Sequence, residues 1–259
     1  MFKLCLKLWS INENYIEEAA KLYKQGLYQY IELYVVPDSL NMLEKWKTLE
    51  IPFIIHSTHF AHGFNLAKIE KESRNLEIYK EVKTFADELN AKYIIFHGGI
   101  GGNINETARQ LKSFNEPRAL IENKPRVVYP KLENGEYCKG YNIDEIKHVM
   151  NITGCGFCLD FGHALCSANS QKKEVYSYIE EFLKLKPNMF HLSDIKDTTS
   201  EYDSHSHLGK GEFNIKRISE MLFVDDMITV ETIKESKTNL DDFVEDIKFI
   251  NKVREERNE

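Results

Sequence analysis

Lys92-Tyr-Ile-Ile-Phe-His97 sets four apolar side chains between a lysine and a histidine. The run is too short for a helix and rich in β-branched and aromatic residues. It therefore predicts a buried strand that ends on a residue able to hold a divalent cation. The same form returns in Ile51-Pro-Phe-Ile-Ile-His56, Arg118-Ala-Leu-Ile-Glu122, Cys155-Gly-Phe-Cys-Leu-Asp160, Pro187-Asn-Met-Phe-His191 and Met227-Ile-Thr-Val-Glu231. Leaving an imidazole or carboxylate bare at a strand tip is costly, and a core does not need it even once. Six such endings point to one shared site.

Between these runs lie helical periodicities. Leu76, Tyr79, Val82, Phe85, Ala86 and Leu89 recur at helical spacing, as do Val175, Tyr178, Ile179, Phe182 and Leu183. Leu240, Phe243, Val244, Ile247 and Ile250 predict a last helix, capped by Asn239 with Asp242 three residues on. Asn142-Ile-Asp-Glu145 has the form of a capping box. Two further strands, Phe2 to Leu8 and Tyr30 to Val36, bring the count to eight. Buried strands alternating with helices predict an α/β fold, a single (β/α)8 TIM barrel that takes residues 1–259 as one domain. In such barrels the C-terminal strand ends and the loops after them form the active face, so the strand endings converge on one mouth. Two segments break the rhythm. The polar stretch Lys124 to Tyr141 predicts a lid or substrate loop, and Ser193 to Asn214 carries Asp203, His205, His207 and Leu208-Gly-Lys-Gly211.

Composition narrows the partners. A net charge of −7 offers no global basic field for nucleic acid or an anionic membrane. No apolar run approaches the roughly 20 residues needed to span a bilayer. The five cysteines are odd in number and lack framework spacing, and Met1 to Trp9 has no signal-peptide core, so the chain reads as cytoplasmic.

Adding His163, three residues beyond Asp160, and the loop residues Asp203 and His205 gives nine candidate metal ligands: His56, His97, Glu122, Asp160, His163, His191, Asp203, His205 and Glu231. Any one alone is more simply a satisfied structural residue; their joint placement carries the argument. His59, His62, Lys124 and His207 are candidate substrate contacts, with a solvated-loop role equally open for His59 and His62, and His207 competing with His205 as a ligand. His148 reads as a surface residue within a helix. Cys155-Gly-Phe-Cys158 falls on a strand, which favours two buried thiols over a redox or zinc pair. Gly98-Gly-Ile-Gly-Gly102 is not a phosphate loop, and predicts small backbone where a metal or substrate approaches His97.

The order His56, His97, Glu122, Asp160-x-x-His163, His191, Asp203-x-His205-x-x-Leu-Gly-x-Gly211, Glu231-Thr232 resembles the endonuclease IV family (AP endonuclease family 2) of the xylose-isomerase-like TIM-barrel superfamily. His56 with Asn65-Leu66 downstream also looks like that family's third-strand loop with a small insertion. The resemblance implies a trinuclear centre. His56, His97 and Glu122 would hold one ion; Glu122, Asp160, His191 and Glu231 a second; His163, Asp203 and His205 a third. Zinc suits the mixed shell, up to three ions, with manganese the alternative. The chain departs from the family at Glu122-Asn-Lys-Pro125, where a small-residue turn is expected. Ile31-Glu32-Leu33 and Asp160-Phe-Gly-His163 look more like the sugar isomerase and epimerase branches, and the DNA-intercalating residues have no counterpart.

Two chemistries follow. The resemblance implies phosphoester or phosphodiester hydrolysis by a metal-bridged hydroxide. Four carboxylates against three divalent ions leave a charge of about +2, attractive to phosphate. The alternative is a single-metal sugar or sugar-phosphate isomerase or epimerase with Glu122 and Glu231 as its acid/base pair. The expected partner is a small phosphorylated or sugar substrate, with damaged DNA the weaker option. A metal-stabilised binding barrel is a third, non-enzymatic reading.

Overall fold

The computed structural model describes residues 2–128 and 136–257. Eight parallel strands close into one barrel in chain order: β1 Lys3–Trp9, β2 Tyr30–Tyr34, β3 Phe53–His56, β4 Ile94–His97, β5 Ala119–Glu122, β6 Gly156–Asp160, β7 Met189–Leu192 and β8 Met227–Val230. The (β/α)8 expectation holds. Helices between the strands include Glu72–Glu88, Ile143–Thr153 and Val175–Leu183, with Asp241–Arg257 last. No described helix is long and apolar enough to cross a membrane.

Strand parity positions everything else. Successive side chains of a strand point to opposite faces. Outward residues such as Leu6, Ile31, Ile55, Phe96, Ile121, Leu159 and Ile228 join the large core under the helices. Inward residues Cys5, Ile54, Ile95, Leu120, Cys158, Met189 and Met227 form a separate apolar plug inside the barrel. Two residues further along six of those strands, on the same inward face, stand Lys7, His56, His97, Glu122, Asp160 and His191. The barrel is thus apolar below and polar at the mouth. Register completes the layer, pairing His97 with Glu122 and Asp160 with His191 across adjacent strands.

Local chemistry agrees with most of the sequence reading. The Asn142 side chain accepts from the Glu145 N–H, capping the helix that follows, and His148 lies half-buried within that helix. Asn239 sits one residue too early to cap the last helix: its side chain accepts from the Asp241 N–H at 3.4 Å, while Leu240 N donates to Glu18. Cys158 belongs to the plug, while Cys155, three residues away, falls on the opposite strand face, so the pair is not a bidentate site.

The glycine run does something other than expected. Gly99 has φ +93°, and a Cβ there would lie 2.2 Å from Asn65 Oδ1; one on Gly98 would lie 2.4 Å from the Lys139 carbonyl. Close packing of the chain's own atoms, the Asn65 side chain and the Lys139 carbonyl, requires small residues here. The described ends of the Lys124–Tyr141 loop pair with it: Lys139 N donates to Gly99 O and Gly101 N to Tyr137 O. The tip of that loop, residues 129–135, lies outside the described residues, and the described ends form a braced ribbon.

The loop after β7 has its own anchor. Buried Asp194 accepts four backbone N–H groups, from Ile195 and Phe213 on Oδ1 and from Gly209 and Gly211 on Oδ2, at 2.8–3.0 Å. A Cβ on Gly211 would meet Asp194 Oδ1 at 2.4 Å, so that glycine is required. Asp194→Ala strands these donors, and we expect a loss of about 3 kcal/mol or more. Urea denaturation checks it; a loss under about 1 kcal/mol means that water replaces the carboxylate.

Candidate metal centre

The carboxylate of Glu122, buried at the end of β5, is the hub. Its Oε2 lies 3.2 Å from His56 Nε2 and 3.1 Å from His97 Nε2. Its Oε1 lies 3.0 Å from His163 Nδ1. In this layer four groups of ligand-type atoms lie close enough to share an ion: Glu32–His191–Glu231, His56–His97–Glu122, Glu122–Asp160–His163 and His163–Asp203–His205. In the last of these, Asp203 Oδ2 is 3.3 Å from His163 Nε2 and 3.4 Å from His205 Nε2. His205 holds this position with φ +44°, a left-handed conformation rarely adopted outside glycine.

Outer contacts fix the imidazoles. A carbonyl oxygen only accepts, so a ring nitrogen bonded to one must carry the proton. His56 Nδ1 donates to Ser57 O at 2.8 Å, His163 Nδ1 to Asn123 O at 2.9 Å and His205 Nδ1 to Glu231 O at 3.1 Å. In His56 and His205 the Nε2 lone pair is left facing a carboxylate, and in His163 it faces Asp203 while also accepting from Lys124 Nζ. This is the orientation that outer contacts impose on metal-binding histidines.

His191 is turned the other way. Its Nε2 lies 2.9 Å from Glu32 Oε2, leaving Nδ1 at 2.8 Å from Glu231 Oε2, 3.6 Å from Glu122 and 3.8 Å from Asp160. The 2.8 Å approach lacks hydrogen-bond geometry: His191 Nδ1, Glu231 Oε2 and Asp203 Oδ2 are all buried without a hydrogen-bond partner among the described residues. His191 Nδ1 and Glu231 Oε2 lie in one ligand group and Asp203 Oδ2 in another; buried ligand atoms left unpaired within such groups are what a cation site requires, so the residues present fit divalent metal.

Electrostatics agree. Burial pushes the Glu122 carboxyl up, but Lys124, His97 and His191 hold it well below the usual carboxylate range. Burial likewise opposes ionisation of Glu231, and Lys7 and His191 overcome it. Asp160 is raised by burial, with His163 opposing. At His191, burial disfavours charge, yet the acidic groups around it, Cys158, Glu32 and Glu231 foremost, raise its pKa well above the ordinary value. A field that stabilises a proton on an imidazole also attracts a metal ion.

Two residues that the strand-end pattern missed complete the layer. Lys7 Nζ lies 2.6 Å from Glu231 Oε1 and 3.2 Å from Glu32 Oε1. Glu32, fully buried on β2, also accepts from Thr229 Oγ1 at 2.5 Å. Burial pushes the Glu32 carboxyl up, but His191 and Lys7 bring it to about 2. Lys7, Glu231, His191 and Glu32 thereby form a closed ring of contacts.

A cavity of about 510 Å³ opens at the centre, lined by His56, His97, His205, Glu231 and Lys7 together with Trp9, Asn12, Tyr15, Ile233 and Lys234. Of the substrate candidates, Lys124 and His59 line it. Lys124 Nζ donates to His163 Nε2 at 3.2 Å and stands 3.4 Å from Glu122. His59 stacks on His97, and burial, then Lys124, draw its pKa down to about 3. His62 is at the rim, 2.6 Å from the Tyr34 hydroxyl. His207 does not reach the centre. Its Nδ1 lies 2.9 Å from Asp246 on the last helix, and it faces a separate cavity with Glu235 and Asp242. The structure thus groups His207 with Glu235 and Asp242 and leaves His205 with His163 and Asp203.

The chain belongs to the xylose isomerase-like TIM barrel family, whose model matches residues 20–253. Among curated proteins it is similar to a probable endonuclease 4 of Aquifex aeolicus, 27% identical over 200 residues that cover 70% of this chain and 68% of that protein. Among solved structures it is similar to a D-tagatose 3-epimerase-like protein, with a TM-score of 0.73 at 15% identity and 98% of each chain covered. It is also similar to endonuclease IV from Thermus thermophilus, with a TM-score of 0.72 at 16% identity over 98% of this chain and 99% of that one. These two likenesses establish the barrel and leave the reaction open.

Because Glu32 sets the ring orientation of His191, Glu32→Gln is expected to weaken zinc binding roughly 10- to 100-fold with the barrel folded. Calorimetric zinc titration beside circular dichroism checks it; unaltered affinity makes Glu32 purely structural.

Proposed function

We propose that this protein is a divalent-metal phosphoesterase that acts on a small phosphorylated substrate through an endonuclease IV-like trinuclear centre. His56, His97 and Glu122 hold one ion, Glu122, Asp160, His191 and Glu231 a second, and His163, Asp203 and His205 the third. One observation carries this reading: His56, His97, His163, Asp203 and His205 aim ligand atoms at the same rim, although a one-metal sugar enzyme needs none of them. Divalent ions, when bound, polarise phosphoryl oxygens and lower the pKa of a coordinated water.

The chain's own residues supply the rest. Glu122 and Glu231 flank the reacting centre and can hold or accept a proton at Oε1 or Oε2. Lys7 fixes Glu231 through Oε1, leaving Oε2 inward. Lys124, at the cavity wall, adds positive charge next to the phosphate. Glu32 and Lys7 bring opposite charges, so the balance of about +2 for a loaded centre survives their addition. DNA is the weaker substrate: a net charge of −7 supplies no backbone-tracking surface.

A second reading is favoured by a specific feature. Three carboxylates, of Glu122, Asp160 and Glu231, converge on His191 Nδ1, and Glu32 holds that histidine through Nε2. These are the parts of a single-metal sugar isomerase or epimerase in which Glu122 and Glu231 exchange protons at adjacent carbons. Charge separates the two: three carboxylates with one ion leave about −1, which suits a neutral sugar and repels phosphate.

Elemental analysis distinguishes them. About three ions per chain, with phosphatase or diesterase turnover that His205→Ala lowers at least ~100-fold without unfolding the protein, is the expected result. One ion per chain, with ketose interconversion indifferent to His205→Ala, establishes the isomerase instead.

A further inference from the structure

Metal-ligand residues are only part of the cavity lining. Lys234 and Ile233, just after β8, and Trp9, Asn12 and Tyr15, from the end of β1 and the segment after it, line the same space. We infer that these residues form an anion subsite, in which Lys234 holds a phosphate carried by the non-reacting part of a small substrate while Trp9 packs on its carbon skeleton. The inference rests on the reading above only for placing the reacting end at the ligand groups.

The lysines of the cavity are not equivalent. Lys7 is held by Glu231 and Glu32, and Lys124 by Glu122 and His163. Lys234 donates to the Thr232 carbonyl at 2.8 Å, and it forms no ion pair among the described residues. Asp246, Glu231 and Asp242 act on it only from beyond ion-pair distance, so this half-buried ammonium, facing a cavity, keeps two donors for an anionic ligand. Its place also suits phosphate, because loops after the seventh and eighth strands commonly build such sites in these barrels.

The segment that carries Lys234 is tied down. Thr232 Oγ1 donates to Asp246 at 2.6 Å, Asn14 Nδ2 to the Lys237 carbonyl at 2.6 Å and the Tyr15 hydroxyl to the Ser236 carbonyl. Across the space Trp9 is 42% exposed, whereas Trp46 is fully buried. Trp9 leans on Tyr34 at 5.2 Å and His62 at 5.8 Å, so an exposed apolar ring is held rigidly at the mouth. Such a surface favours the carbon face of a sugar or another flat group.

Ribose 5-phosphate and free ribose serve as probes. Each is titrated into the metal-loaded protein and followed by calorimetry and by tryptophan emission, which Trp9 and Trp46 alone supply. We expect ribose 5-phosphate to bind at least about tenfold more tightly than ribose and to shift Trp9 emission. Lys234→Ala should erase that preference and Lys234→Arg restore most of it, with the ion count unchanged in both. Equal affinities in the unsubstituted protein, or a preference that survives Lys234→Ala, overturns the subsite. A repeat after chelation separates the two claims: a Lys234-dependent preference that persists without metal upholds the subsite even if the trinuclear reading falls.

Discussion

The structure depends on strand parity inside a closed barrel. Because every second side chain of every strand points inward, the chain must decide at each level whether the interior is apolar or polar. It chooses apolar at Cys5, Ile54, Ile95, Leu120, Cys158 and Met189, and polar one step later at Lys7, His56, His97, Glu122, Asp160 and His191. That single alternation places a dry floor under a dense layer of ionisable groups. The floor shields the layer from water on one side and strengthens its electrostatics.

So concentrated a layer needs compensation. Carboxylates from β2, β5 and β6 and from the β8 exit cannot share such a volume as bare charges. Two devices meet the need here. Lys7 and Lys124 enter as internal cations, and the ring nitrogens are oriented by contacts outside the layer: Ser57, Asn123 and Glu231 carbonyls for three histidines, Glu32 for a fourth. The cost of holding lone pairs together is met by rigid partners on every side. The proposed function builds on that arrangement, since a pre-oriented set of ligand atoms can take up an ion without rearrangement.

Much of this was legible in the sequence, for a physical reason. A short apolar run ending in His, Glu or Asp leaves little freedom: the run must be buried, and its end must emerge where the barrel opens. Glu32 and Lys7 escaped that pattern because they sit inside their strands. In Lys3-Leu-Cys-Leu-Lys-Leu-Trp9 nothing in the alternation distinguishes Lys7, which barrel closure turns inward to Glu32 and Glu231, from Lys3, which pairs with Asp225. Asp194 was hidden because its partners are backbone N–H groups contributed by residues up to nineteen positions away. His207 has the spacing of a ligand but is drawn off by Asp246, a contact with the last helix that spacing cannot encode. The glycines after β4 were rightly seen as a need for small residues, but the close neighbour is the chain itself.

Anomalous diffraction from crystals of the zinc-loaded protein tests the central claim most directly. The account predicts three ions on one rim, with Glu122 shared between two of them and Nε2 of His56, His97, His163 and His205 as ligand atoms. A lone ion at His191 Nδ1, or ions spread over surface carboxylates with His163, Asp203 and His205 empty, contradicts it.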